Sequence, residues 1–250
     1  MKSLKGKKII FGVIGVILFI AWWQATVWIK QDASLVSVER IVNALVNIII
    51  QESFYINLLS TLKIVLIGIS IAAVSGIVLS VIFDLNSAVK HAITPLIELL
   101  RNIPSITLFP ILLVLYGIGD AARIFVIFWT AFPSVILSSV YGLSGISKTV
   151  IEAAEDLGAN KFQIMRTIKL PLALPEILNG IRIGIGSGFV AIVVAEMLGA
   201  SKGLGYMVLW ATNSFKYPET YAYIIIIALV GATVNGIMSV VIKKCKRSVL

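Results

Sequence analysis

Residues Ile9 to Ile29 form a run of 21 without a single charge. As a helix that run is about 31 Å long, enough to cross a hydrocarbon core of roughly 30 Å. Further apolar runs follow at about Leu62–Phe83, Ile103–Ile118, Ile124–Leu143, Ile177–Leu198 and Tyr221–Ile242. In lipid every backbone amide must be bonded internally, so runs of this length read as helices. The expectation is an all-α polytopic membrane protein with about six transmembrane helices. Composition agrees: the chain is 59% hydrophobic and only 13% charged, where a soluble domain carries roughly a quarter charged residues. The mean hydropathy of +1.02 leaves too few polar groups to cover a water-facing surface.

Lys2, Lys5, Lys7 and Lys8 precede the first run as the basic region of a signal peptide would. The run is too long for one, however, and no small-x-small cleavage site follows, so it reads as an uncleaved anchor. With the N-terminus inside, the inner set of basic residues is those four with Lys90, Arg101, Lys148, Lys161, Arg166, Lys169, Arg182, Lys243, Lys244, Lys246 and Arg247. Only Lys30, Arg40, Lys63, Arg123, Lys202 and Lys216 fall outside. This excess predicts both termini in the cytoplasm, with Trp22, Trp23, Trp28 and Trp210 near the outer face. The same bias accounts for most of the net charge of +9, and basic residues scattered between apolar runs do not make a nucleic-acid patch.

The third run is the irregular one, entered through Arg101-Asn102-Ile103-Pro104 and interrupted by Pro110. Each proline removes a backbone donor, and irregular backbone at membrane depth is tolerated where protein or a water-filled cavity covers it. Leu108–Leu115 is therefore expected in the bundle interior, with Pro104 and Pro110 near a path. Gly180, Gly184 and Gly188 recur every four residues in the fifth run, and Gly68, Ala72, Gly76 and Ser80 share a face of the second. Both stripes predict close helix packing. The string Gly184-Ile185-Gly186-Ser187-Gly188 sits in a hydrophobic helix without the strand a phosphate loop needs or a base for a serine nucleophile.

Glu196 lies near the outer end of the fifth run, where an acid is costly and faces the bundle interior. It is a candidate path or gate residue, or else a structural hydrogen-bond partner of a neighbouring helix end. Arg182 is about 21 Å away along the same helix and is expected to snorkel to the inner interface. Cys245 and His91 are the sole members of their kinds, which leaves no intrachain disulfide and no thiolate or histidine-rich metal cluster.

The connection from Ser144 to Pro175 mixes charges with helical patterning. Thr149 and Glu152 read as a capping box for a helix starting near Val150, with Val150, Ala154 and Leu157 as its apolar face. Gly158 reads as a left-handed stop. A second helix is expected over Asn160–Lys169, with Phe162, Met165 and Ile168 apolar, ended by Pro171, and Pro175 in the first turn of the fifth span. Such a pair makes a knob on the inner surface.

Glu152-Ala153-Ala154, three residues, Gly158, nine residues, then Ile168-Lys169-Leu170-Pro171 resembles the EAA loop of ABC importer permeases at every defined position. Arg101-Asn102-Ile103-Pro104, Tyr116-Gly117-Ile118-Gly119, Ala195-Glu196-Met197-Leu198-Gly199-Ala200 and Gly203-Leu204-Gly205-Tyr206 are similar to stretches of the nitrate, sulfonate and taurine branch. The resemblance covers roughly Ile56–Ile242. It implies a type I importer core of five helices over 56–242, with short cytoplasmic coupling helices at about 144–175. Before it stand an N-terminal span and external segment over 1–55, and after it a basic cytoplasmic tail over 243–250. It further implies that Glu152, Ala153, Ala154, Gly158, Leu170 and Pro171 dock onto a separate ATPase, present in two copies, that binds ATP and Mg.

Walker motifs are absent from the sequence, so this chain is expected to be a non-catalytic subunit that binds no cofactor. By the same resemblance a second permease copy and an extracytoplasmic binding protein complete an importer in a bacterial-type inner membrane. Its solute is a small nitrate-, sulfonate- or taurine-like anion or a vitamin precursor. The alternative is an ion- or proton-coupled secondary transporter, which would carry coupling acids at an inverted-repeat interface. A channel would need a filter, and an intramembrane hydrolase a base at matching depth.

Overall fold

The computed structural model describes residues 2–249, and the side chains of 11–86 and 88–245. The basic side chains Lys2, Lys5, Lys7, Lys8, Lys246 and Arg247 therefore lie outside the described residues. Long apolar runs have become long helices. Among the described residues five, Phe11–Lys30, Glu52–Leu85, Asp120–Ser144, Lys161–Gly199 and Tyr217–Cys245, are long and apolar enough to cross a membrane. A bent pair, Ala88–Arg101 with Ser105–Tyr116, raises that to six if it is one span.

The chain divides into two compact units, Met1–Tyr55 with Met207–Ile226, and Ile56–Tyr206 with Ile227–Leu250. In the first unit, α1 (Lys2–Lys30) and α2 (Val38–Ile50) are joined by a link held from both sides. The Trp23 indole donates to the Val36 carbonyl at 3.0 Å, and Gln24 accepts from the Val38 amide at 3.1 Å. The Tyr221 hydroxyl donates to Ser34 at 3.1 Å and its ring meets Trp23 edge-on. α2 turns Ile41, Ala44 and Ile48 inward, the spacing of one helical face.

The second unit is built around α6 (Asp120–Ser144). α3 (Glu52–Leu85) brings Gly68 and Gly76 against it, and α9 (Leu170–Gly199) brings Gly180, Gly184 and Gly188. A methyl at Gly68 would lie 2.7 Å from Ile127, at Gly76 2.9 Å from Val135, at Gly180 2.6 Å from Ser138, and at Gly184 3.0 Å from Ala131. The two glycine stripes thus converge on one helix, whose Ile127, Ala131 and Val135 are fully buried. Bare backbone lets helices approach until dispersion contacts replace the missing hydrophobic drive between them.

The third apolar run does not make a span by itself. α4 (Ser87–Arg101) and α5 (Phe109–Tyr116) flank a 3₁₀ turn at Ser105–Leu108, and the two arms are bent by 81°. Their contacts climb α6 from its last residue to its first turn. Lys90 bonds Ser144, Tyr141 donates to Glu98 at 2.7 Å, Thr130 to Ser105 at 2.6 Å, and Phe109 and Leu112 pack on Ala122 and Val126. The bent pair therefore runs antiparallel along the whole of α6. Pro104 precedes the 3₁₀ turn and Pro110 stands in the first turn of α5, where no amide donor is required. The expectation of an interior segment is corrected by half: Phe109 and Leu112 are buried, whereas Pro104, Pro110, Ile111, Val114 and Leu115 are exposed in the single chain.

α11 runs over Tyr217–Val249, so the helix continues through the described part of the basic 243–250 segment. The Nε of Arg182 donates to Asn235 of α11 at 2.8 Å.

Candidate functional site

At one end of the second unit, α7 (Lys148–Asp156) and α8 (Lys161–Ile164) form a knob. α7 starts two residues earlier than the Thr149–Glu152 capping box requires. Ser147 stands at the N-cap without a side-chain bond, and the capping box belongs instead to Asn160 and Gln163 at the start of α8. The end of α7 is as expected from its glycine. Gly158 has φ +84, its amide bonds Glu155 at 2.8 Å and the Ala159 amide bonds Ala154 at 3.0 Å. That is the paired hydrogen bonding of a Schellman turn. No atom lies within 4 Å of where its Cβ would be, so backbone conformation and not space demands glycine.

The inward face differs from the expected one. Ala154, Ile164 and Met165 are buried, while Val150 is exposed, Leu157 is 89% exposed and Phe162 72%. Glu152 and Ala153 are exposed beside them. The outer face of the knob therefore carries large apolar side chains that a solvated loop has no reason to present. Underneath, Met165 packs with Leu143, Ala173 and Ile177. Lys169 reaches Asp84 at the end of α3 at 2.7 Å, with both side chains mostly covered.

Pro171 does not end the second helix. A π turn over Met165–Lys169, in which the Leu170 amide bonds Met165, leads directly into α9, and Pro171 occupies its first turn. The wider turn relieves the clash a proline ring makes with the carbonyl four residues back. Pro175 consequently lies inside α9. The knob and the fifth span are one continuous helical lever.

At the other end of the unit, Glu196 is fully buried. Its carboxylate accepts the Thr61 hydroxyl at 2.8 Å and the Gly205 amide at 2.9 Å. Thr61 Oγ1 in turn accepts the Leu204 amide at 2.9 Å, and Asn57 accepts the Gly203 amide at 2.8 Å. Leu204 begins α10 (Leu204–Asn213), so side chains from α3 and α9 satisfy the free amides at its start. Gly203 has φ +125, and a methyl there would fall 2.2 Å from the Glu196 carboxyl carbon; one at Gly205 would fall 2.1 Å from the Val193 carbonyl. Glu196 is the centre of a clasp between α3, α9 and α10. Asn57 and Thr61 escaped sequence reading, although two polar residues one turn apart at the start of an apolar helix were a usable signal.

Midway along α6 a cavity of about 270 Å³ is lined by Arg101, Pro104, Ser105, Trp129, Thr130 and Ser187, among others. The Trp129 indole N–H is buried with no hydrogen-bond partner, and a buried orphan donor calls for an explanation. Pro110 does not line this cavity.

A family model described as binding-protein-dependent transport system inner membrane component matches residues 64–249. The taurine transport system permease protein of Escherichia coli is 30% identical over 224 residues, covering 88% of this chain and 82% of that protein. The nitrate import permease protein of Leptolyngbya laminosa is 30% identical over 187 residues, covering 75% and 67%. The fold matches a chain of a bacterial alginate ABC transporter, crystallised in complex with its alginate pentasaccharide-bound periplasmic protein, at a TM-score of 0.62. That match has 13% identity and covers 99% of this chain and 97% of the other.

Proposed function

This chain belongs to the family of binding-protein-dependent transport system inner membrane components, the permeases of ABC importers, and from that premise we propose how it works. Two copies form the path of a small nitrate-, sulfonate- or taurine-like solute or of a vitamin precursor, and separate ATPase subunits drive it by docking on the α7–α8 knob. Glu152, Ala153 and Gly158 carry the docking surface; Ala154, expected there from the sequence, is buried beneath it, and Leu170 and Pro171 stand at the root of the lever behind it. ATP and Mg are bound by those partners, and an extracytoplasmic binding protein delivers the solute. The basic-residue distribution supports both termini in the cytoplasm. The names of the taurine and nitrate relatives support a solute that bears an oxyanion group.

One observation carries the coupling reading. The knob exposes Leu157 and Phe162, yet is fixed from beneath by the Lys169–Asp84 pair and is continuous with α9 through the π turn. A partner pushing on it would therefore move α3 and α9 together. In the interior, the orphan Trp129 donor and Arg101 in the same cavity support a wall that hydrogen-bonds a passing anion.

The test is purification of the tagged chain in mild detergent, identification of co-purifying proteins and assay of their ATPase activity, then uptake in proteoliposomes. A Walker-motif ATPase that is retained by the native chain and lost on changing Glu152 and Gly158 is the expected result. Uptake without ATP by the chain alone would overturn it in favour of a secondary transporter.

A further inference from the structure

A cavity of the second unit lies away from the knob, at the opposite ends of the same helices. Its volume is about 550 Å³, within the range of small-molecule pockets. It is lined by the start of α3, the start of α6 and the link between α9 and α10. On α3 the lining residues Ile56, Leu59, Ser60 and Lys63 follow helical spacing and form one face.

The charge of this cavity is one-sided. Lys63, Arg123 and Lys202 line it against the single carboxylate of Asp120. That carboxylate is engaged by Arg123 at 2.5 Å. Arg123 is only 7% exposed and is fixed further by donating to the Gly119 carbonyl at 3.2 Å. Neither Lys63 nor Lys202 makes an ion pair among the described residues. Two lysines thus line the cavity without an ion-pair partner among the described residues, with Ser60 and Ser201 in the same wall.

The cavity wall is also rigid. The segment carrying Ser201 and Lys202 is pinned immediately afterwards, where Asn57 holds the Gly203 amide and Thr61 the Leu204 amide. Those two α3 residues interleave with the lining residues Ile56, Ser60 and Lys63. The same two turns of α3 therefore clasp the link and line the cavity. The backbone that carries both lysines is thus fixed before a ligand arrives, so binding has only the two exposed side chains to order.

We infer that this cavity is a binding site for a small oxyanion, such as a sulfonate, sulfate, phosphate or nitrate group, held by Lys63 and Lys202 at the end of the permease opposite the ATPase. The apolar side chains of Ile56 and Leu59 leave room for a short alkyl tail. The location relative to the ATPase rests on the proposed function; the anion site itself does not. The oxyanion can come from a free solute or from the headgroup of an anionic lipid.

The test uses the complete transporter in nanodiscs of phosphatidylcholine alone, with radiolabelled sulfate and methanesulfonate as probes. Saturable binding is expected, weakened at least about tenfold in the K63Q/K202Q double variant, since a charge-assisted bond contributes about 1.5–3 kcal/mol and 1.4 kcal/mol is tenfold. K30Q, which removes a lysine outside the cavity, should bind like the native chain. Loss of probe binding by the native protein when phosphatidylglycerol is added, with the residual binding of K63Q/K202Q unchanged by that lipid, identifies the headgroup as occupant and supports the same site. Absence of saturable binding in both lipids, or binding unchanged in K63Q/K202Q, overturns the inference. If binding fails while ATP-driven uptake still depends on Gly158, the permease function stands and only this site falls.

Discussion

The Thr61 hydroxyl of α3 donates a 2.8 Å hydrogen bond to the Glu196 carboxylate of α9 across 135 residues of sequence, with neither side chain exposed. Through it two spans and the first turn of α10 share one polar core. Replacing Glu196 with Ala removes the acceptor of both Thr61 and the Gly205 amide, and each buried unsatisfied group costs about 1–3 kcal/mol. Glu196→Ala should therefore lower the melting temperature of the detergent-solubilised complex by several degrees. Glu196→Gln, which keeps one acceptor but turns an NH₂ toward a donor, should fall between. If Glu196→Ala melts like the native protein but transports poorly, the acid acts in the path and not in the clasp.

Gly203 and Gly205 are predicted to be the least replaceable glycines outside the α6 contacts. A Cβ at either would sit about 2.1–2.2 Å from Glu196 or Val193, and Gly203 also needs positive φ. Alanine at either position should destabilise by above about 3 kcal/mol, at the upper end of single-site effects, and reduce membrane accumulation. Gly236→Ala, where nothing lies within 4 Å, should accumulate normally; quantitative immunoblotting of membranes distinguishes them.

Gly158 is constrained by conformation alone. Gly158→Asn, which tolerates the left-handed region, should retain most uptake, and Gly158→Val, whose branched side chain resists it, should abolish uptake while the subunit still inserts. Equal uptake by the two variants would remove the Schellman turn from the coupling argument.

The Lys169–Asp84 pair joins knob to α3 with both side chains mostly covered. Removing one partner of a covered pair leaves the other uncompensated and is more damaging than losing both. Lys169→Met and Asp84→Leu should each depress ATP-driven uptake, and the double variant should recover part of it. A double-mutant cycle on uptake rates and melting temperature reads this directly; strict additivity would mean that the two residues are not coupled.

Sequence periodicity and charge determined which stretches are membrane helices, because apolar runs of bilayer length have one stable solution in lipid. The glycine spacing likewise determined that α3 and α9 are closely packed, and Gly158 announced its own turn. Local rules failed where neighbours intervened. The Thr149–Glu152 box gave way because α7 begins at Lys148, and Pro171 does not stop the helix because a π turn opens ahead of it. The Ile103–Ile118 run folds together with α4 into a bent pair whose course only its contacts along α6 reveal. Which helix receives both glycine stripes, and that Glu196 finds Thr61 and Gly205, are pairings between distant segments. A periodic pattern specifies which face of a helix is buried, but the partner of that face is fixed only when the whole chain has satisfied its buried polar groups at once.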